Sequence, residues 1–237
     1  MGFQLEIESA SLAAIRPSAT IRMAALARSM RNEGRPIISL ASGEPDFDTP
    51  QHVKQAAIRA IREGKTKYTA VDGIDELKAA IAVKFARDNK LSYSPEEINI
   101  SPGGKAVIYN ALAATLSQEE RVIIPAPYYV SYPDMVMLAG GTPVIVPTKP
   151  QCNFKLAPEE LEASITTNTK WLILNSPSNP TGSVYTKDEL RGLADVLLRH
   201  PQVLCFPMTS TSISSSTAAN LPPSPKSSRS CAIAVSP

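Results

Sequence analysis

The segment Trp171-Leu172-Ile173-Leu174-Asn175-Ser176-Pro177-Ser178-Asn179-Pro180-Thr181-Gly182 decides the fold class. Its first four residues form an apolar run of strand length, which predicts a buried strand. The Asn179-Pro180-Thr181-Gly182 string has the residue types of a turn, so it marks the exit from the carboxyl end of that strand. Because ligands of open α/β sheets bind at the carboxyl ends of strands, this turn is a candidate site.

Strands and helices alternate through the chain on both sides of this segment. Apolar runs predict strands at residues 98–100, 122–124, 143–146, 171–174 and 203–205. Apolar residues at helical spacing predict helices at residues 104–116, 129–138, 159–165 and 187–198. This alternation predicts an α/β fold, with a mostly parallel sheet covered by helices on both faces.

The first ninety residues carry helix start and stop signals. Ser18 is placed to N-cap a helix that stops before Gly34, and Thr49-Pro50 is placed to open a helix that ends at Gly64. A further helix is predicted at residues 74–89, and a short strand at residues 37–40.

Composition excludes several classes of function. The 237 residues are 43% hydrophobic with a net charge of +2, so a sizeable core is expected and neither nucleic acid nor an acidic membrane surface is indicated as a partner. No apolar run has the length of a membrane span, and the N-terminus lacks the pattern of a secretory signal. The three cysteines show no CxxC spacing, which favours reduced thiols and a cytoplasmic location.

Five motifs in a fixed order resemble a known family. They are Ser42-Gly43-Glu44-Pro45-Asp46-Phe47-Asp48-Thr49-Pro50, Lys67-Tyr68-Thr69, Gly103-Gly104-Lys105, Pro125-Ala126-Pro127-Tyr128-Tyr129 and Asn179-Pro180-Thr181-Gly182. Together they resemble the class I aminotransferases of fold type I, which use pyridoxal 5′-phosphate (PLP), and the aspartate aminotransferase branch above all. The resemblance runs over about residues 7–205.

The resemblance implies a fold and an activity. It implies a PLP-transferase-like sheet, here incomplete, together with part of a small domain, and a homodimer with shared sites in the intact family member. It also implies transfer of an amino group between a small amino acid and a 2-oxo acid, with aspartate and 2-oxoglutarate as the pair. An aromatic or prephenate-type acceptor is the alternative.

The Gly103-Gly104-Lys105 turn is the candidate phosphate site. It leads from a predicted strand into a helix, and backbone N–H groups at a helix N-terminus can bind the phosphate of PLP. The alternative is a flexible strand-to-helix turn without a ligand.

The resemblance places Tyr129 and Asn179 against the cofactor ring and among the residues that bind the substrate. Tyr129 stands where the family usually has a tryptophan that stacks on the ring, and it still offers a flat aromatic face. Asn179 is placed to donate to the phenolic oxygen of the cofactor and to a substrate carboxylate, since its amide has two donor hydrogens. The alternatives are an ordinary core aromatic and a residue that only initiates a turn.

Tyr68 and Gly43 carry the two remaining assignments. By resemblance, Tyr68 reaches the cofactor phosphate of the neighbouring subunit, and the backbone of Gly43 meets the substrate carboxylate. A surface tyrosine and a plain turn glycine are the alternatives. No residue pattern indicates a metal site.

The resemblance implies the first two of three regions, and composition predicts the third. Residues 1–50 are an N-terminal arm with a portion of the small domain, and residues 51–205 are the first half of the large PLP-binding domain. Residues 206–237 are predicted to be a non-native, disordered tail: from Pro207 onward, thirteen of 31 residues are Ser or Thr, and none is acidic or aromatic.

The resemblance also requires residues that do not follow in their expected places. These are the Schiff-base lysine, an acid for the pyridine nitrogen and an arginine for the α-carboxylate, so no catalytic residue is assigned. Lys226 lacks the apolar context expected around such a lysine.

The codons of Met208 and Thr209, read one base out of frame, give an obligatory aspartate, and permitted codons extend it to Ser-Asp-Asp-Ile-Tyr. We therefore hypothesise a lost base after Cys205. An inactive truncated product and a non-catalytic binding module are the alternatives.

Overall fold

A computed structural model describes residues 9–13, 15, 18–40, 43, 47–208 and 232–234. The chain divides into two compact units. One is Ala14–Val71, and the other combines the segment that precedes it, which contains helix α1 (Ala10–Ala13), with everything from Asp72 onward. The boundary predicted at residue 50 therefore lies inside the first unit.

The described residues of the first unit include two helices, α2 (Ala19–Asn32) and α3 (Gln51–Arg62). Both end as their sequence predicts, because Gly34 and Gly64 follow them with φ angles of 82° and 73°, a backbone region that favours glycine. The N-cap of α3 is Pro50, one residue later than predicted. Ser18 occupies the N-cap position of α2, but its side chain makes no capping hydrogen bond.

The strand predicted at residues 37–40 is wrong. This segment has no regular structure, and Ile38 and Leu40 are 90% and 94% exposed. A strand is stabilised by pairing with a neighbour. None of the described strands pairs with the segment in a sheet, and its apolar side chains Ile38 and Leu40 remain in solvent.

The second unit is built on a four-stranded parallel sheet. Its strands are β2 (Arg121–Ala126), β3 (Thr142–Pro147), β4 (Thr169–Asn175) and β5 (Leu204–Met208), in the order β3-β2-β4-β5. Strand β1 (Ile98–Ile100) lies outside this sheet and pairs in parallel with β6 (Ala232–Ala234). The predicted parallel α/β fold is confirmed.

Helices cover the sheet on both faces. Helices α5 (Gly104–Thr115) and α6 (Tyr132–Leu138) supply the core on one face, where Leu112 and Val136 are fully buried. Helices α7 (Pro158–Ser164) and α8 (Lys187–Arg199) supply the core on the other, through Leu161 and Leu193. The strand residues alternate between these two cores, as the period of two along a strand requires.

The order in which the chain adds strands across the sheet reverses between the two central strands, β2 and β4. From β2 the chain moves outward to β3, then returns across the sheet to β4 and continues to β5. Pairing between β2 and β4 stops at Ile123 and Leu172, although both strands run on for three residues. Their carboxyl ends are therefore separate, and they form a crevice of the kind that binds ligands in open α/β sheets.

Helix α4 (Asp75–Lys84) continues into one turn of π-helix, Phe85–Asn89, so the helix predicted at residues 74–89 is present. Its buried Lys78 is paired with Asp72 at 2.5 Å between Nζ and Oδ2. This pair joins α4 to Asp72, the residue at which the second unit resumes after Val71.

The predicted tail begins at residue 206, but strand β5 continues to Met208. Phe206 is 1% exposed and stacks on Trp171, with ring centroids 4.5 Å apart, so β5 extends to Met208 as a packed strand. Ala232–Ala234 are also strand residues. The remainder of the predicted tail, residues 209–231 and 235–237, lies outside the described residues.

Candidate functional site

The turn before α5 forms a helix N-terminus that opens with a glycine. Gly103 is the N-cap residue, with φ 90° and ψ 161°, a conformation that is essentially restricted to glycine. The amides of Gly104, Lys105 and Ala106 find no backbone acceptor in the described part of the chain, as expected for a first helical turn. A side chain at Gly103 would meet nothing within 4 Å, so the turn is also open. Such a helix terminus suits an anion.

Lys105 and Tyr129 meet at this end of the sheet. The Lys105 ammonium lies 5.6 Å from the centroid of the Tyr129 ring. Burial of the Tyr129 phenol opposes its ionisation, but hydrogen bonding from Lys105 and Ser131 and the charge of Lys105 outweigh burial, so the pKa of Tyr129 is lowered. The contact places a positive charge beside an aromatic face, next to the free amides of α5.

A second tyrosine, Tyr132, packs against Tyr129. Tyr132 packs edge-on against it, with ring centroids 5.5 Å apart, and is 4% exposed. Burial, followed by the proximity of Tyr129, raises the pKa of Tyr132 to about 12. Helix α6 begins at Tyr132 rather than at Tyr129 as predicted, with Ser131 as its N-cap and Pro133 in its first turn. Tyr129 therefore lies in the loop that precedes the helix.

Asn179 lies in the turn at the carboxyl end of β4, as predicted. Its backbone N–H donates to Oδ1 of Asn175 at 2.8 Å. Its own side-chain amide has no hydrogen-bond partner among the residues that the structure describes. The turn is closed by Gly182 N–H donating to the carbonyl of Ser178 at 2.7 Å. Asn179 therefore has donors available for a ligand.

The crevice between β2 and β4 is lined by both strand exits. The space between the two exits amounts to about 350 Å³, a volume that includes open solvent. Pro127 and Tyr128 line it from the β2 side, and Asn175, Ser178 and Asn179 from the β4 side. The crevice thus joins the Asn179 turn to the loop that carries Tyr129.

Gly43 and Tyr68 belong to the first unit, Ala14–Val71. Tyr68 is fully exposed, and Gly43 has open space where a side chain would be. Their assigned roles stay predictions. The five other predicted site residues all lie in the second unit, where Lys105 and Tyr129 are in contact.

Asn175 and Ser131 were not predicted as site residues. Asn175 accepts from the Asn179 backbone N–H and donates to the carbonyl of Met208, 33 residues away, and Ser131 contacts Tyr129. The only sequence signal for Asn175 is a polar residue that ends an apolar strand. The described residues contain no cluster that could hold a metal ion, and no helix among them could cross a membrane.

Comparison with known proteins assigns the class. The family model for aminotransferases of class I and II matches residues 35–206. The chain therefore belongs to this aminotransferase family, and the predicted resemblance is confirmed.

The relatives are aspartate and aspartate/prephenate aminotransferases. An aspartate/prephenate aminotransferase of Cereibacter sphaeroides is 59% identical over 195 residues, which are 82% of this chain and 49% of that protein. An aspartate aminotransferase of Rhizobium meliloti is 48% identical over 202 residues, which are 85% of this chain and 48% of that protein. The chain thus spans about half the length of the curated relatives it matches.

Solved structures agree with this assignment. A crystal structure of Rhizobium meliloti aspartate aminotransferase superimposes with a TM-score of 0.82 at 47% identity, covering 87% of this chain and 51% of that one. The Thermus thermophilus aspartate aminotransferase with maleate also gives a TM-score of 0.82, at 45% identity, covering 85% and 53%.

Proposed function

We propose that this chain carries the amino-terminal half of a PLP-dependent aminotransferase that exchanges an amino group between aspartate and 2-oxoglutarate. The observation that carries the proposal is the contact of Lys105 with Tyr129 beside the unpaired amides of α5. An anion-binding helix terminus, a cation and an aromatic face together fit a phosphorylated aromatic cofactor.

Each residue has a defined task in this proposal. The amides of Gly104 and Lys105 hold the cofactor phosphate, and Gly103 lets the backbone approach it closely. Tyr129 supplies a stacking face for the pyridine ring. When bound, PLP acts as an electron sink for a substrate amino acid and carries its amino group.

Asn179 serves both the cofactor and the substrate. Its amide is unpaired within the described chain and lines the crevice at the end of β4. One donor hydrogen is available for the cofactor phenolic oxygen and the other for a substrate carboxylate. A hydrogen bond to a charged group contributes about 1.5–3 kcal/mol, so loss of this amide weakens both interactions.

A prephenate-type acceptor is the second candidate. It is favoured by the names of several relatives, including the 59% identical protein of Cereibacter sphaeroides. Aspartate remains the amino donor in both cases. Activity with 2-oxoglutarate compared with prephenate distinguishes the two.

The intact protein is proposed to be a cytoplasmic homodimer. The full exposure of Tyr68 supports a role in which this side chain reaches a neighbouring subunit. We likewise propose that Gly43 meets the substrate carboxylate through its backbone. Size measurement of the intact protein, with and without Tyr68→Ala, tests the dimer and the effect of that side chain on cofactor affinity.

The 237-residue chain itself is expected to bind the cofactor weakly and without a covalent link, because no Schiff-base lysine is assigned in it. Pyridoxamine 5′-phosphate needs no such lysine, so calorimetric titration with it measures the site directly. Lys105→Met is expected to lower the affinity about tenfold or more. Lys187→Met, which removes an exposed lysine from the first turn of α8, is the matched control.

Activity is tested in a chimaera that continues this chain after Cys205 with the corresponding half of the Cereibacter sphaeroides protein. Transfer from aspartate to 2-oxoglutarate, and at least a tenfold loss of kcat/KM in Asn179→Ala, are expected. A folded chimaera that binds the cofactor but transaminates neither acceptor contradicts the proposal.

A further inference from the structure

We propose that Asn175 is a positioning residue, which fixes the Asn179 turn against β5 and so aims the Asn179 side chain at the ligand. The inference rests on the proposed function for the identity of that ligand. Its geometric part rests only on contacts within the chain.

Asn175 is the last residue of β4 and uses both ends of its side-chain amide. Its Oδ1 accepts from the backbone N–H of Asn179 at 2.8 Å, and its Nδ2 donates to the backbone carbonyl of Met208 at 3.1 Å. Met208 is the last residue of β5, and its carbonyl also accepts from the N–H of Ser176 at 2.9 Å. One side chain therefore ties the turn to the edge of the neighbouring strand.

Only an amide satisfies this arrangement. The position needs one acceptor and one donor at the same distance from the backbone, which asparagine supplies and aspartate or leucine does not. The Asn175 side-chain amide is hydrogen-bonded within the protein, whereas the Asn179 side-chain amide has no partner among the described residues and can bind a ligand.

The turn has other supports, so loss of Asn175 is expected to shift it rather than unfold it. Ser178 N–H donates to the carbonyl of Ser183 at 2.9 Å, and Tyr185 N–H donates to the hydroxyl of Ser176 at 3.2 Å. These bonds hold the flanks of the turn. The Asn179 backbone itself is anchored by Asn175.

A double-mutant cycle on the full 237-residue chain tests the inference, with pyridoxamine 5′-phosphate as the probe. Asn175→Ala is expected to lower its affinity roughly two- to tenfold, the effect of one neutral hydrogen bond. If Asn175 acts only through Asn179, it causes no further loss in the Asn179→Ala background. Independent, additive losses contradict the inference.

Two controls separate positioning from general damage. Inorganic phosphate, which engages only the α5 terminus, is expected to bind Asn175→Ala and the unaltered chain equally. Thr115→Val removes a different side-chain hydrogen bond to β4, from Trp171 Nε1 at 3.0 Å, and is expected to leave both affinities unchanged. A loss of phosphate affinity in Asn175→Ala indicates general damage and contradicts the inference.

Hydrogen exchange of the Asn179 backbone N–H distinguishes failure of this inference from failure of the proposed function. In Asn175→Ala this amide is expected to exchange at least about tenfold faster, while the Gly182 amide, bonded to Ser178, keeps its rate. Faster exchange in a chain that does not bind the probe would refute the proposed function and retain the geometric role of Asn175. Unchanged exchange refutes that role.

Discussion

Replacement of Gly103 by alanine tests whether the backbone of the α5 turn forms the phosphate site. Gly103 has φ 90° and ψ 161°, and an added Cβ would meet no atom within 4 Å. The cost of Gly103→Ala therefore comes from backbone conformation and not from a clash. A residue held in this region costs about 1–3 kcal/mol, and relief of that strain rotates the amides that follow.

The expected result has two parts. First, the free energy of unfolding falls by about 1–3 kcal/mol, or by less if the turn relaxes to relieve the strain. Second, the affinity for inorganic phosphate and for pyridoxamine 5′-phosphate falls about tenfold or more, because charged hydrogen bonds are lost. Urea unfolding followed by Trp171 fluorescence measures the first, since this is the one tryptophan of the chain. Calorimetry measures the second.

Gly140→Ala is the matched control. Gly140 has φ 88° and equally open surroundings, but it follows α6. It is expected to lose stability without losing phosphate affinity. Equal phosphate affinity in the Gly103→Ala and Gly140→Ala chains would refute the argument that the α5 turn holds the phosphate.

Three further predictions follow from the side chains and from the gene. Lys105→Met is expected to raise the pKa of Tyr129, because the hydrogen bond and the charge that favour the phenolate are lost; absorbance titration at alkaline pH against Tyr129→Phe checks this, and an unchanged pKa contradicts it. Burial raises the pKa of Tyr132 from 10.0 to about 12, so the folded chain holds the phenolic proton more tightly than the unfolded chain. The free energy of unfolding is therefore expected to fall by up to roughly 2–3 kcal/mol as the pH rises from about 10 to 12. Tyr132→Phe should flatten this decline in urea titrations. Sequencing the gene across the Cys205 codon is expected to show that one added base opens a longer frame; a stop codon immediately downstream in that frame contradicts the hypothesis.

The sequence determined the types and order of helices α4–α8 and strands β1–β5 in the second unit. The apolar run of β4 and the helical spacing of α8 are local patterns, so they could be recognised without knowledge of their neighbours. The same holds for Gly103, whose place before a helix depends only on adjacent residues. Local signals failed at residues 37–40, because a strand depends on a neighbouring strand, and none of the described strands pairs with this segment.

Only the tertiary structure decided how the site is assembled. The order β3-β2-β4-β5 placed the crevice between β2 and β4, and no local pattern fixes which strands become neighbours. Lys105 and Tyr129 come from different elements, and Asn175 bonds to Met208, which is 33 residues away. Such contacts depend on packing between elements that are distant in the chain, so sequence named Asn179 as a candidate but could not identify the residue that holds it in place.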